Sequence, residues 1–453
     1  MKAATRTALL AAAVAAIAAV AAASAGAAVS LRQLSSDPFT NTSSQHRTEV
    51  EPDTFAFGST IVSAFQVARF FSGGSNDIGF ATSNNNGTTW QNGLLPGITT
   101  FAGGGSFDRA SDPSVAFDAR HGAWLISSLV LRGSSAVGVV TSRSVDGGHT
   151  WGAPIAVTTS GADKNWVVCD DNAASPFFGN CYTEWDQPAN GGLIRMSTST
   201  NGGLTWGPAL TSADSARGLG GQPVVQPNGT VIVPYSSSSF GSVRSFRSVN
   251  GGASWRVSVQ VSTITDHLVA GGLRTEPLPS AETDATGKVY VVWQDCRFRP
   301  SCASNDLVLS TTTQATYPTW SAVTRIPIDA VTSSVDHFIP GLAVNRATSG
   351  ATARLGLAYY YYPKAACTFS TCQLDVGYVT TGNAGATWST PTQLAGPLSL
   401  SWIASTSQGR MVGDYISSSY VNGGVLAVFA SASAPFAGLF NEAMFTTTAP
   451  LPG

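Results

Sequence analysis

Charge is scarce in this 453-residue chain, at 11% Asp, Glu, Lys and Arg, where ordinary soluble domains carry about 25%. The 24 Lys and Arg residues form no cluster and the net charge is −2. Nucleic-acid binding and other polyanion-binding classes are therefore excluded. The five histidines (His46, His121, His149, His267, His337) show no metal-ligand spacing, and no C-x-x-C pair is present. A serine-nucleophile elbow and a phosphate-binding glycine loop are also missing, since Gly103-Gly104-Gly105 opens no helical pattern. No metal or cofactor is expected. After the first residues, no apolar run approaches the roughly 20 residues of a spanning helix.

The first residues read as an export signal over 1–27. Lys2 and Arg6 precede an uncharged Ala/Leu/Val/Ile stretch from Ala8 to Ala23, followed by small residues suited to cleavage. No twin arginine precedes the stretch, which points to general secretion. The mature chain, 28–453, is expected to be one domain, secreted or held at the cell surface, and monomeric. Six cysteines fall into near neighbours: Cys169 with Cys181, Cys296 with Cys302, Cys367 with Cys372. Of the pairings open to six cysteines in an exported chain, the local one is simplest. A metal site is the alternative.

Gly, Ser, Thr, Val and Tyr are abundant and favour short strands and tight turns. One turn recurs. S-N-N-N-G-T-T-W ends at Trp90, S-V-D-G-G-H-T-W at Trp151, S-T-N-G-G-L-T-W at Trp206, S-V-N-G-G-A-S-W at Trp255 and T-G-N-A-G-A-T-W at Trp388. A degenerate copy, T-Q-A-T-Y-P-T-W, ends at Trp320. The tryptophans are 61, 55, 49, 65 and 68 residues apart, enough for a four-stranded unit with loops. Asp146, or Asn85, Asn201, Asn250 and Asn383, can accept backbone N–H groups in the turn, and the following Gly allows left-handed backbone. The role is structural.

These turns resemble the Asp-box, or BNR, repeat of the sialidase-like propellers. The resemblance spans nearly the whole mature chain and implies an all-β, seven-bladed β-propeller, six-bladed if the first segment is irregular. Blades are expected at about 47–105, 106–162, 163–214, 215–268, 275–332, 334–397 and 409–448. An N-terminal strand near Ala28–Leu34 would complete the last blade and remove a sheet edge.

Chemistry in such a fold belongs to polar residues on the inner strands, around the channel. The resemblance implies an exo-α-sialidase-like glycoside hydrolase acting on a carboxylated sugar. It places Glu282 beside Arg297, with Asp112 as acid/base and Tyr415 as nucleophile. Arg109, Arg297, Arg410 and Asp414 would bind the substrate. On a regular strand, however, side chains alternate, so Arg410 and Asp414 would face the channel and Tyr415 would not. The family's Phe/Tyr-Arg-Ile-Pro motif has no N-terminal counterpart. Arg325-Ile326-Pro327 follows the degenerate box, on an outer strand. The alternative is a non-catalytic secreted propeller that binds a glycan, a protein or another small polar ligand at the same face.

Overall fold

Strands rich in Val, Ile, Tyr and Thr alternate with glycine turns along residues 29–453, the part that this computed structural model describes. The expected export signal lies outside those residues. Among them, no helix is long and apolar enough to cross a membrane. The chain is all-β: six antiparallel sheets of three or more strands and one two-stranded ribbon. The largest sheet holds two groups of strands, I and II, linked by a single pairing of Ser75 with Ala110.

Each group has a central strand. These are Glu49–Phe57 in I, Arg109–Asp118 in II, Asp163–Cys169 in III and Val224–Val225 in IV. Ser280–Thr283 opens V, Asp336–Val344 opens VI and Ser417–Val421 opens VII. They touch in chain order, and the strand of VII lies against those of both VI and I. Side chains stitch the seams. Asp53 accepts the amide of Val115 (2.7 Å), Ser114 that of Val167 (2.9 Å) and Ser280 that of Leu342 (3.0 Å). Gln222 accepts that of Ala281, and Ser417 that of Thr54 (3.0 Å), which joins the last group to the first. Leu31–Gln33 forms the outer edge of VII, antiparallel to Glu442–Thr447.

The cores lie between neighbouring groups. Phe80, Trp124 and Trp151 pack between I and II, and Tyr182, Phe246 and Trp255 between III and IV. Both faces of most strands are covered, so Ala123–Leu131 is buried throughout, without alternation. The repeated turns join third to fourth strands. Asp146 Oδ1 accepts the amides of His149 and Thr150 (both 3.0 Å), and Ser144 Oγ accepts that of Gly148 (3.0 Å). The Trp90 and Trp151 indoles donate to the carbonyls of Gly87 and Gly148. Disulfides bridge Cys169–Cys181, Cys296–Cys302 and Cys367–Cys372.

Four of the seven central strands share one irregularity. Pairing slips between Val50 and Asp53, Ser111 and Ser114, Asp163 and Trp166, and Phe338 and Pro340. At each slip one residue is left-handed: Glu51 (φ 56°), Asp112 (φ 46°), Lys164 (φ 48°) and Ile339 (φ 50°). These are β-bulges. Three carry proline next (Pro52, Pro113, Pro340), tolerated where a bulge frees the amide from the ladder.

Candidate functional site

Non-glycine residues adopt positive φ at an energetic cost, and such strain gathers at functional sites. Here the bulges of I, II and III turn Glu51, Asp112 and Lys164 toward one point, at the end of the axis where the central strands begin. Lys164 Nζ lies 3.6 Å from Glu51 Oε1 and 3.9 Å from Asp112 Oδ2, and pairs directly with Asp414 Oδ2. Arg274 also pairs with Asp414, and its Nε is 3.5 Å from Glu276. Arg69 donates to Gln66 (2.7 Å), which in turn donates to Glu51. A cavity of about 300 Å³ is lined by Glu51, Arg69, Asp112, Asp163, Lys164 and Arg274, with Thr406–Gln408 at its edge.

The electrostatics separate these groups. Burial would raise the Asp414 carboxyl, but Arg274 and Lys164 outweigh it and hold it at about 2. Burial, reinforced by Asp112, raises Glu51 to about 8 and Asp163 to about 6. Asp186, paired across the ladder with Asp163, rises to about 8 through burial and that neighbour. For Lys164, burial works against the charged form, yet Asp112, Asp414 and Glu51 outweigh it and hold the ammonium charged. Carboxyls that keep a proton thus sit beside one that does not, the arrangement that supports proton transfer. Arg274, buried but reachable from the cavity, presents a planar fork suited to a carboxylate.

No protein-family model and no curated protein matches this sequence. Solved structures do. An ulvan lyase, a polysaccharide lyase bound to -[GlcA(1-4)Rha3S]-, aligns over 93% of this chain and 96% of its own, at 10% identity and a TM-score of 0.54. A protein of unknown function from Dyadobacter fermentans aligns over 78% of this chain and 99% of its own (15% identity, TM-score 0.49). A Hadza microbial sialidase aligns over 90% and 66% (13% identity, TM-score 0.45). The ulvan lyase shares the fold of this chain.

Of the residues singled out in the sequence, Asp112 and Asp414 meet at the cavity and the others do not. Glu282 is not beside Arg297. It pairs in register with Tyr290, and the strand then runs to Asp295, about 17 Å away at 3.4 Å per residue. Arg297 lies beyond that end and folds back onto Asp295 (Nη2–Oδ2 2.6 Å). Glu282 instead pairs with Arg346 (3.1 Å) near the opposite end of the axis. Arg109 stacks over Phe70 (4.0 Å) and bonds the Gly73 carbonyl (2.7 Å). Arg410 bonds the Ile403 carbonyl (2.7 Å) and stacks over Phe369 (5.2 Å).

Within the blade expected over 409–448, the central strand starts only at Ser417. Gly413, at φ 139°, breaks the pleat, so the alternation argument does not apply to Asp414 and Tyr415. Tyr415 packs edge-on to Trp166 (5.1 Å) and donates to the Pro113 carbonyl (3.0 Å). Burial, with Glu51 nearby, pushes its phenol well above the usual range, the wrong direction for a nucleophile. Arg69, Lys164, Arg274 and Asp163 were missed as site residues. The usable signal was X-Pro recurring on or just before the central strands: Glu51-Pro52, Asp112-Pro113, Gln222-Pro223, Leu278-Pro279 and Ile339-Pro340.

Proposed function

We propose that the chain is an exported, seven-bladed, sialidase-like β-propeller that cleaves glycosides of a carboxylated sugar at this cavity. One observation carries the reading: three successive bulges bring carboxylates and an ammonium together around an arginine-bearing pocket. Arg274, with Arg69 and Lys164 behind it, grips the sugar carboxylate. Asp163, raised to about 6 by burial and by Asp112, donates the proton to the leaving oxygen. Asp112, the second carboxylate, takes the proton of a water that bonds to the anomeric carbon as the bond to the leaving oxygen breaks. The ulvan lyase bound to a uronic-acid disaccharide supports an acidic glycan as ligand on this fold.

The exo-α-sialidase form of the reading, with Tyr415 as nucleophile, has less support, because the phenol donates to Pro113 O and Glu282 is remote from it. That same observation favours a second reading, a propeller that binds the acidic sugar without cleaving it.

The test uses the mature protein and the 4-methylumbelliferyl glycosides of N-acetylneuraminic acid and glucuronic acid. Fluorophore release is expected, with Asp163→Asn and Asp112→Asn each lowering kcat/KM by roughly 100-fold or more. Arg274→Lys should mainly raise KM. Saturable binding of glucuronate without release would leave the binding reading. Neither release nor binding would remove both.

A further inference from the structure

We infer that the opposite end of the axis is a second pocket, built to bind a neutral saccharide. The inference does not rest on cleavage at the first cavity. The turns that close the first hairpins of groups I, III, IV and V surround a cavity of about 400 Å³, within the size range of small-molecule sites. Arg346, from group VI, lies across its mouth. The guanidinium bonds Glu282 (3.1 Å) and stands 4.8 Å from the centre of the Phe55 ring. At the lip, Phe57 is 43% exposed, its ring fixed by Phe117 at 4.5 Å.

The polar groups decide the ligand class. Asp170 is occupied by Ser175 and the Asn172 amide. Asp284 is occupied by the amides of Thr286 and Lys288 and by the Tyr290 hydroxyl. Asp171 differs. Its Oδ1 accepts the Ala119 amide (2.9 Å), while Oδ2 is shut off from solvent and has no partner. A ligand cannot reach that oxygen, so the polar group the cavity offers is the Arg346 guanidinium, whose side chain is 40% exposed.

An anionic ligand would meet Asp170, Asp171, Glu282 and Asp284 against a single arginine. A cationic one would meet Arg346 in the middle of the mouth, with Glu282 already paired. A purely apolar one would cover the exposed side of the Arg346 guanidinium without giving it an acceptor. A neutral polyol with one apolar face fits all three constraints. Its hydroxyls accept from Arg346, and its C–H face lies on Phe57.

The experiment titrates the mature full chain with methyl β-D-glucopyranoside, methyl β-D-galactopyranoside and methyl α-D-mannopyranoside, read by saturation-transfer NMR. At least one should bind saturably. Phe57→Ala, at an exposed position, and Ala285→Trp, which fills the cavity, should each weaken it by about tenfold. Asp163→Asn, at the other cavity, should leave it unchanged. The inference is overturned if none of the three binds saturably, if affinity ignores both Phe57→Ala and Ala285→Trp, or if Asp163→Asn abolishes it.

Discussion

Lys164 is the residue on which the first cavity turns. Its ammonium is the cation common to Glu51, Asp112 and Asp414, all of them buried. Removing one partner of a buried ion pair leaves uncompensated charge, which costs about 3–5 kcal/mol. Lys164→Met should therefore lower the urea midpoint of unfolding substantially, although Met fits the apolar stem. Asp414 keeps Arg274 and Glu51 keeps its proton, so the loss falls mainly on Asp112. Adding Asp112→Asn to Lys164→Met should restore part of the stability, because the stranded charge disappears. An unchanged midpoint in the single variant, or a further fall in the double variant, would show that the cluster is not held by this cation.

At the level of elements, the β class and the repeated turns were legible because each is written locally. A Ser/Thr, an Asn/Asp, a Gly and a Trp within eight residues specify a turn whatever surrounds it. The cavity was only partly legible. Alternation along a strand predicts facing, but a bulge inserts a residue and resets the alternation, as at Glu51, Asp112 and Lys164. Proline inside a strand is read as an interruption, when here it marks the bulge itself. The pairing of Glu282 with Arg346 joins residues 64 positions apart in different groups, which no local pattern encodes. The strand Leu31–Gln33 shows the same long reach. It covers the outer edge of Glu442–Thr447, and the next residues tie it inward: the Leu34 amide bonds Met444 O (2.8 Å) and Ser35 Oγ bonds Glu49 (2.8 Å). A chain beginning at Asp37 should expose that edge, melt earlier and self-associate through it. Calorimetry with light scattering checks this; a monomer with an unaltered melting temperature would mean the strand is dispensable.

For the whole molecule, the decisive feature is how many carboxyls the fold buries while carrying so little charge overall. Burial raises Glu49, Glu51 and Asp186 to about 8, and Asp53, Asp171 and Asp336 to about 7. In the unfolded chain the same groups titrate near 4. Where the folded value is the higher one, the native state binds the extra proton, so stability is full below about pH 4 and declines as pH rises through the folded values. Asp414, held at about 2, acts in the opposite sense, its contribution lost only as pH falls from about 4 toward 2. The two windows meet near pH 4–5, where stability should peak. Melting temperature should then drop as pH rises from 5, with the steepest loss between about pH 5 and 7, where all six carboxyls are protonated in the fold and ionised in the unfolded chain, and should level off above pH 8. Removing a raised carboxyl should flatten that slope, and Asp336→Asn suits the purpose because its amide oxygen can still accept the Asn305 amide that Asp336 Oδ1 accepts. A melting temperature that is level or rising over pH 5–9 would mean that these carboxyls ionise freely in the folded state, and that the seams and the cavity tolerate their charge.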